Sequence, residues 1–226
     1  DGARRIDRDG RPRPGPAEGP RPAATPEAGE TRTWPGPGGA PVLRGDTHGR
    51  LFLGRTWLRD HEGEIGAVAW SPDGERVAVG DGAQIRVWDR RGRLRATFSG
   101  HQGTVRLLAW SPRGQRLLSG GDDEQARVFH LADPGGGQPL RGHTGPITAI
   151  AWHPDGEEVA TASRDGSVRL WTLIPAVHRR LPHPGAVHAI AWHQGGGRLA
   201  TAGDDGKLRI FDLDADLPPR ILEQGR

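Results

Sequence analysis

The 226-residue sequence contains no cysteine, no methionine and no tyrosine, and Lys207 is its only lysine. Without cysteine, the chain can form no disulfide, no cysteine-ligated zinc site and no thiol nucleophile. No apolar run approaches the roughly 18 residues of a membrane-spanning helix, and no signal-peptide pattern is visible. With 31 basic and 28 acidic residues, the net charge is only +3. We therefore expect a cytoplasmic protein without a transmembrane segment and without a nucleic-acid partner.

Glycine and proline are abundant, at 36 and 20 residues, but they are unevenly placed. Residues 1–30 are rich in proline and arginine, and Ile6 is their only large aliphatic residue. Such a segment buries too little apolar surface to offset the entropy that ordering would cost. We predict that residues 1–30 form a disordered linker.

The remainder of the chain repeats itself, beginning at His61. In four segments, a histidine is followed nine residues later by the tryptophan of an Ala-Trp pair, and then by a turn such as SPDG. Successive histidines are 40, 42 and 40 residues apart, and so are successive tryptophans: His61 and Trp70, His101 and Trp110, His143 and Trp152, His183 and Trp192. Self-similarity at such a period indicates a repeat architecture.

Within each unit the apolar pattern has the period of strands rather than of helices. In ITAIAW, residues 147–152, side chains alternate with a period of two, and the turns PDG and RDGS separate further short strands. Four antiparallel strands in about 40 residues cannot bury both of their faces, so the units must stack on one another. We predict an all-β propeller whose four regular units are residues 60–99, 100–141, 142–181 and 182–226.

The units resemble the WD-repeat (WD40) β-propeller family. The third carries the family's Gly142-His143 pair, an RDG turn and a tryptophan that closes the third strand. The resemblance implies a hydrogen-bonded tetrad of histidine, Ser/Thr, aspartate and tryptophan. In the third unit the tetrad maps to His143, Thr161, Asp165 and Trp171. In the second and fourth units, three of its positions map to His101, Ser119, Asp123, His183, Thr201 and Asp205.

The other units depart from this pattern. Phe129 and Phe211 replace the tryptophan, and the first unit has Val79 at the hydroxyl position and a turn one residue shorter. We therefore predict that the first unit is the least regular of the four. Residues 31–59 resemble a degenerate partial blade, because Trp34 and Phe52 have the spacing of Trp70 and Trp88. Rings of this family most often have seven blades, so we expect an incomplete ring.

Three functional interpretations are alternatives to a purely structural role for the histidines, the tetrad residues and the arginines: a metal site, a catalytic triad and a lipid-binding patch. His183, His188 and His193 are evenly spaced, but odd offsets place neighbouring residues on opposite faces of a strand, so we expect no metal site. His143, Thr161 and Asp165 match a catalytic triad by residue type, but a constellation that recurs in three units is not a unique nucleophile site. The patch Arg90–Arg95 contains an RRG sequence similar to part of a phosphoinositide-binding propeller motif.

The family's usual work implies a non-catalytic scaffold for protein–protein interaction that needs no cofactor and binds a partner on the propeller faces. A narrower form is the sensor module of a larger protein, such as a bacterial kinase or signalling NTPase. The alternatives are an enzyme with its site on propeller loops, or acidic-phospholipid binding through Arg90–Arg95. The predicted partner-binding residues, of which Arg106 and Arg164 are the leading candidates, are Glu64, Thr104, Arg106, Asp122, Thr148, Arg164, His188 and Asp204. Missing blades or another chain are further candidate partners.

Overall fold

The computed structural model describes residues 32–45, 50–59, 61, 64–174, 177–215 and 217–223. The predicted linker, residues 1–30, lies outside the described residues. In the described ranges the regular structure is twenty strands and one short 3₁₀ helix, Pro37–Gly39. None of the described helical structure has the length or the apolar content to cross a bilayer.

The strands form five antiparallel sheets of four strands, each built from consecutive strands. The first sheet is short: β1 (Arg32–Trp34), β2 (Leu43–Gly45), β3 (Leu51–Leu53) and β4 (Thr56–Trp57). The second contains β5 (Ile65–Trp70), β6 (Arg76–Asp81), β7 (Gln84–Asp89) and β8 (Leu94–Phe98). The third contains β9 (Val105–Trp110), β10 (Arg116–Gly121), β11 (Ala126–His130) and β12 (Asp133–Leu140).

The last two sheets follow the same plan. The fourth contains β13 (Ile147–Trp152), β14 (Glu158–Ser163), β15 (Ser167–Thr172) and β16 (Val177–Pro182). The fifth contains β17 (Val187–Trp192), β18 (Arg198–Gly203), β19 (Lys207–Asp212) and β20 (Arg220–Glu223). Tight turns join the strands, and Gly166 takes a φ of +75° in the RDGS turn, a conformation that favours glycine.

The core consists of four hydrophobic clusters, and each lies between two consecutive sheets. We call the side of a sheet that faces its successor the trailing face and the opposite side the leading face. The trailing face of the fourth sheet carries Ala160, Ala162, Val168, Leu170 and Leu181, which pack on Val187, Leu199 and Phe211 of the leading face of the fifth. Packing sheet on sheet buries the apolar side chains that a single sheet leaves exposed.

The residues of the first sheet align with those of the second sheet one position away from the predicted alignment, which matched Trp34 with Trp70. Trp110 and Trp152 donate their indole N–H to the carbonyl groups of Ala69 and Ala109 in the preceding sheets, at 3.0 Å. Trp70 donates instead to the carbonyl of Trp34, at 3.4 Å. Trp34 therefore occupies the position of Ala69 rather than that of Trp70, and the equal spacing that matched it to Trp70 was misleading.

The predicted fold class is confirmed. The chain is all-β, with four regular four-stranded sheets and one shorter N-terminal sheet stacked as blades. In the described part of the chain, every hydrophobic cluster joins sheets that are consecutive in sequence. The side chains available to a partner lie at the polar ends of this stack of sheets.

Candidate interaction face and the tetrads

A β-bulge interrupts the first strand of each regular sheet. The register between first and second strands skips one residue in every case, which bends the strand and re-aims that side chain. The skipped residues are Gly66, Arg106, Thr148 and His188. Three of them were predicted to bind a partner, although no feature of the sequence indicates the bulge.

Each bulge lies beside the turn between the second and third strands. The backbone N–H groups of Asp122, Arg164 and Asp204 donate to carbonyl groups just before the first strand of the same sheet, at 2.9–3.1 Å. The eight predicted partner-binding residues thus lie at one end of the sheets. We call this end the turn face, defined by Glu64, Thr104, Arg106, Asp122, Thr148, Arg164, His188 and Asp204.

Most of the turn-face side chains are already paired within the protein. Arg106 donates to Glu64 at 2.8 Å and to Asp122 at 2.9 Å. The hydrogen bond to Glu64 is the main reason that the pKa of Arg106 rises above its usual value. His188 and Asp204 form an exposed pair at 2.5 Å. Arg106, a leading candidate for partner binding, therefore has its charge compensated by two carboxylates of the protein itself.

Arg164 differs from its equivalents in the neighbouring sheets. It occupies the position of Asp122 and Asp204, and among the described residues its exposed side chain has no hydrogen bond or ion pair. Its counterpart across the bulge, Thr148, donates its hydroxyl to the carbonyl of Val187 in the fifth sheet. The turn face consequently presents one uncompensated guanidinium between two carboxylate-bearing sheets.

The fourth sheet contains a complete hydrogen-bonded tetrad. His143 Nδ1 lies 2.8 Å from Asp165 Oδ2, His143 Nε2 lies 2.8 Å from Thr161 Oγ1, and the indole of Trp171 donates to Thr161 Oγ1 at 2.9 Å. Burial lowers the pKa of His143, so its ring is neutral and its proton lies on Nδ1, facing the carboxylate. Thr161 then donates to Nε2 and accepts from the indole, so every polar group is satisfied.

The carboxylate of Asp165 is held in its charged form. Burial acts to raise its pKa, but hydrogen bonds from Ser167, from His143 and from the backbone N–H of Thr144 outweigh it and lower the pKa to about 2. Thr161 is fully buried. Its hydroxyl cannot reach a substrate, which argues against a nucleophilic role for this triad of residue types.

The third and fifth sheets retain parts of the arrangement. His101 contacts Asp123 at 2.9 Å and Ser119 at 2.7 Å. In the fifth sheet, His183 lies 2.8 Å from Thr201, but its Nδ1 faces the carbonyl of Leu181 at 3.1 Å. The prediction that Asp205 belongs to this tetrad is therefore wrong, because Asp205 binds Arg209 instead of His183.

The second sheet has strands about as long as the others, but its register shifts between β7 and β8 and its tetrad is disrupted. Val79 cannot accept or donate a hydrogen bond, so the indole N–H of Trp88 and Nε2 of His61 are buried without a hydrogen-bond partner. Nδ1 of His61, on the side of the turn aspartate, has none either. His61 Nδ1 lies 3.1 Å from Asp81 Oδ1, which is within ion-pair distance but outside hydrogen-bond geometry. Burial, the largest cause, lowers the pKa of His61.

Replacing Val79 by threonine is expected to raise the free energy of unfolding by about 1–3 kcal/mol, because one hydroxyl would serve two orphaned polar groups. Urea unfolding of the full chain measures this. Val77→Thr is the matched control, since Val77 is equally buried on the same strand within an apolar cluster. It is expected to destabilise, and a destabilising Val79→Thr would contradict the explanation.

The sequence interpretation missed a recurring arginine beside the tetrads, two residues before the aromatic residue of the third strand: Arg86, Arg127, Arg169 and Arg209. In the second and fifth sheets it binds the turn aspartate, Asp81 or Asp205. The glycine of the Gly142-His143 pair has a φ of +149°, a conformation that favours glycine. The sequence does show this arginine, because it recurs at the second position of the segments IRVW, ARVF, VRLW and LRIF.

The patch Arg90–Arg95 borders a groove of about 920 Å³ whose floor includes Val87, Ala96 and Leu131. Two of its arginines are paired: Arg90 with Glu75 at 2.8 Å and Arg95 with Asp89 at 2.8 Å. These ion pairs reduce the positive potential that an acidic lipid would require. As for metals, no group of three or more potential ligands occurs within the described ranges.

Comparison with known proteins agrees with this architecture. The family described as WD domain, G-beta repeat matches residues 53–89, 92–130, 137–172 and 177–212, more than half of the chain. Each matched range covers the outer strand of one sheet and three strands of the next. A search of curated proteins finds no match. The chain belongs to the WD40 repeat family.

Proposed function

We propose that this protein is a non-catalytic scaffold that binds a protein or peptide partner through the turn face. WD repeats support a role in protein interaction in general. We assign partner binding to one end of the stack of sheets, the turn face. The complete tetrad of the fourth sheet is buried and internally bonded, whereas the turn-face side chains are polar and at least partly exposed.

The observation that carries the proposal is the charge pattern around Arg164. Its guanidinium lies in the fourth sheet, between the Glu64–Arg106–Asp122 cluster of the second and third sheets and the His188–Asp204 pair of the fifth. Such a surface complements a segment with a carboxylate flanked by basic side chains. Nucleic acid or an acidic membrane would require a surface of one sign.

The charge reversal Arg164→Glu is expected to weaken partner binding by about tenfold or more, because it adds a fourth carboxylate to those of Glu64, Asp122 and Asp204. Crosslinking of the full chain in cell extract, followed by quantitative mass spectrometry, measures which proteins are lost. Arg113→Glu is the matched control, since Arg113 is equally exposed but lies in the turn at the opposite end of the third sheet. Equal recovery by the two variants would refute the assignment of the turn face.

A narrower form of the proposal is that the chain serves as the sensor module of a larger protein, such as a bacterial kinase or signalling NTPase, connected through residues 1–30. The sequence of the full-length gene tests this directly. A catalytic domain encoded upstream of Asp1 would support it, and an open reading frame without one would rule it out.

The competing function is an enzyme with its site on the propeller loops. The buried, bonded state of His101 and His143 disfavours general-base chemistry at the tetrads. A hydrolase screen of the purified chain distinguishes the two functions. Turnover that is abolished by a turn-face substitution would replace the scaffold proposal.

A further inference from the structure

The outer strand of the fourth sheet places a second arginine beside the recurring one. β16 pairs with β15 in a register that sets Arg180 directly opposite Arg169. One pair further along the same face, His178 lies opposite Trp171. This is the leading face of the sheet, because Trp171 packs there on the third sheet. We call Arg169, His178 and Arg180 the rim site.

The other regular sheets do not pair the recurring arginine with a second cation. Its cross-strand partner on the outer strand is uncharged in each of them: Thr97 opposite Arg86, Pro139 opposite Arg127 and Ile221 opposite Arg209. Like charges directly opposite each other on antiparallel strands are destabilising. The fourth sheet therefore carries a repulsive pair that the repeat itself does not require.

No carboxylate within the described ranges binds either arginine of this pair. Asp165 is engaged by His143, by Ser167 and by a backbone N–H, so it does not take the role that Asp205 has in the fifth sheet. Arg169 donates instead to Nε2 of His178, at 2.8 Å. The exposed side chain of Arg180 has no hydrogen bond or ion pair with any described residue. The rim site consequently has uncompensated positive charge.

The chain that enters the fourth sheet adds a further guanidinium nearby. A Cβ on Gly142 would lie 2.5 Å from Nη1 of Arg169, so the backbone of Gly142 passes directly beside the rim site. Arg141 precedes Gly142, is exposed, and likewise has no partner in the described part of the chain. Several guanidiniums without carboxylates favour an anion with several oxygens, since each can donate two parallel hydrogen bonds to it.

We propose that the rim site binds the phosphate group of a phosphorylated protein segment. Residues directly opposite on antiparallel strands have Cβ atoms about 4.5–5.5 Å apart, so the long side chains of Arg169 and Arg180 can reach the same phosphate. The guanidinium fork matches phosphate oxygens in a bidentate arrangement. Binding also removes the repulsion between the two arginines. The site lies on the outer strand, so the proposal does not depend on the turn face.

The openness of the rim site favours a protein segment over a free anion. Sites for small molecules bury most of the ligand, whereas His178 and Arg180 are exposed. β16 is the edge strand of its sheet, where an extended segment can bind by strand addition and supply further contacts. A membrane would meet the outer strands of several sheets, and the neighbouring strand β12 contains Asp133 and no basic residue.

Selection from two degenerate peptide libraries tests the proposal. The libraries are identical except for a central phosphoserine or serine, and their equimolar mixture is passed over the immobilised full chain. Mass spectrometry of the retained peptides should show the phosphorylated form enriched by about tenfold or more. Arg180→Gln should abolish most of this enrichment. Arg179→Gln is the matched control, since Arg179 lies on the same strand but on the opposite face, and should preserve it.

Urea unfolding of the same variants without peptide provides a second readout. Arg180→Gln should raise the midpoint, because it removes the like-charge pair. A lowered midpoint would show that Arg180 is already compensated and would overturn the proposal. Equal retention of both libraries would overturn it, as would equal losses in Arg180→Gln and Arg179→Gln, which would reflect overall charge. Vesicles containing phosphatidylinositol phosphate that bind through Arg180, while phosphopeptides do not, would assign the site to a membrane instead.

Discussion

Thr161→Val is expected to lower the free energy of unfolding by about 2–6 kcal/mol. The Thr161 hydroxyl donates to His143 Nε2 and accepts from the Trp171 indole, and the side chain is fully buried. Valine has nearly the same shape, so no sizeable cavity forms. The cost comes from two buried polar groups that lose their only partner at this position, at about 1–3 kcal/mol each.

Urea unfolding of the full chain, compared with two matched variants, measures this effect. Thr172→Val removes a hydroxyl that bonds Glu158 at a partly exposed position and should cost far less. Thr201→Val removes a hydroxyl that bonds His183, but Phe211 offers no indole donor there, so an intermediate loss is expected. Equal losses in Thr161→Val and Thr172→Val would contradict the role assigned to the tetrad.

The second large effect is a loss of stability between pH 7 and pH 5. Burial is the main cause that lowers the pKa of His61, His101, His143 and His183 below 6.5. The unfolded chain therefore binds more protons than the folded chain once the pH falls below about 6.5. Each such histidine removes up to about 1.4 kcal/mol per pH unit until its folded pKa is reached.

Chemical denaturation at several pH values tests this, and the free energy of unfolding should fall steeply with acidification. Asp165 contributes in the same direction but at lower pH, because its pKa of about 2 gives stability that is lost as the pH falls from 3.8 toward 2. A flat profile from pH 7 to 5 would show that the buried histidines titrate alike in both states.

The sequence was most informative where a repeat tests the same feature several times. The spacing from His61 to Trp70 recurs in four units, and this recurrence was enough to predict stacked four-stranded blades. Spacing failed at Trp34, because Leu43 and its strand partner Leu53 are ten residues apart, whereas the equivalent pair of Ala78 and Val87 is nine residues apart. A single spacing match therefore could not determine the register of the first sheet.

The polar contacts were less predictable, because sequence does not show which of two cations obtains a carboxylate. Asp205 has the same position as Asp165, yet it binds Arg209 rather than His183. Arg106 was a leading candidate for partner binding, and two carboxylates of the protein itself bind it. The pairing of Arg106 depends on a bulge and on a contact with the second sheet, which a one-dimensional pattern does not contain.

The offset between repeats and sheets has a consequence for how the chain changes in evolution and in the laboratory. Each matched repeat contributes the outer strand of one sheet and the inner strands of the next. Duplicating or excising one repeat therefore never adds or removes a self-contained blade, because it rewrites two neighbouring blades at once. The boundaries of the sequence repeats do not coincide with those of the blades. Adjacent blades should therefore unfold together rather than one by one.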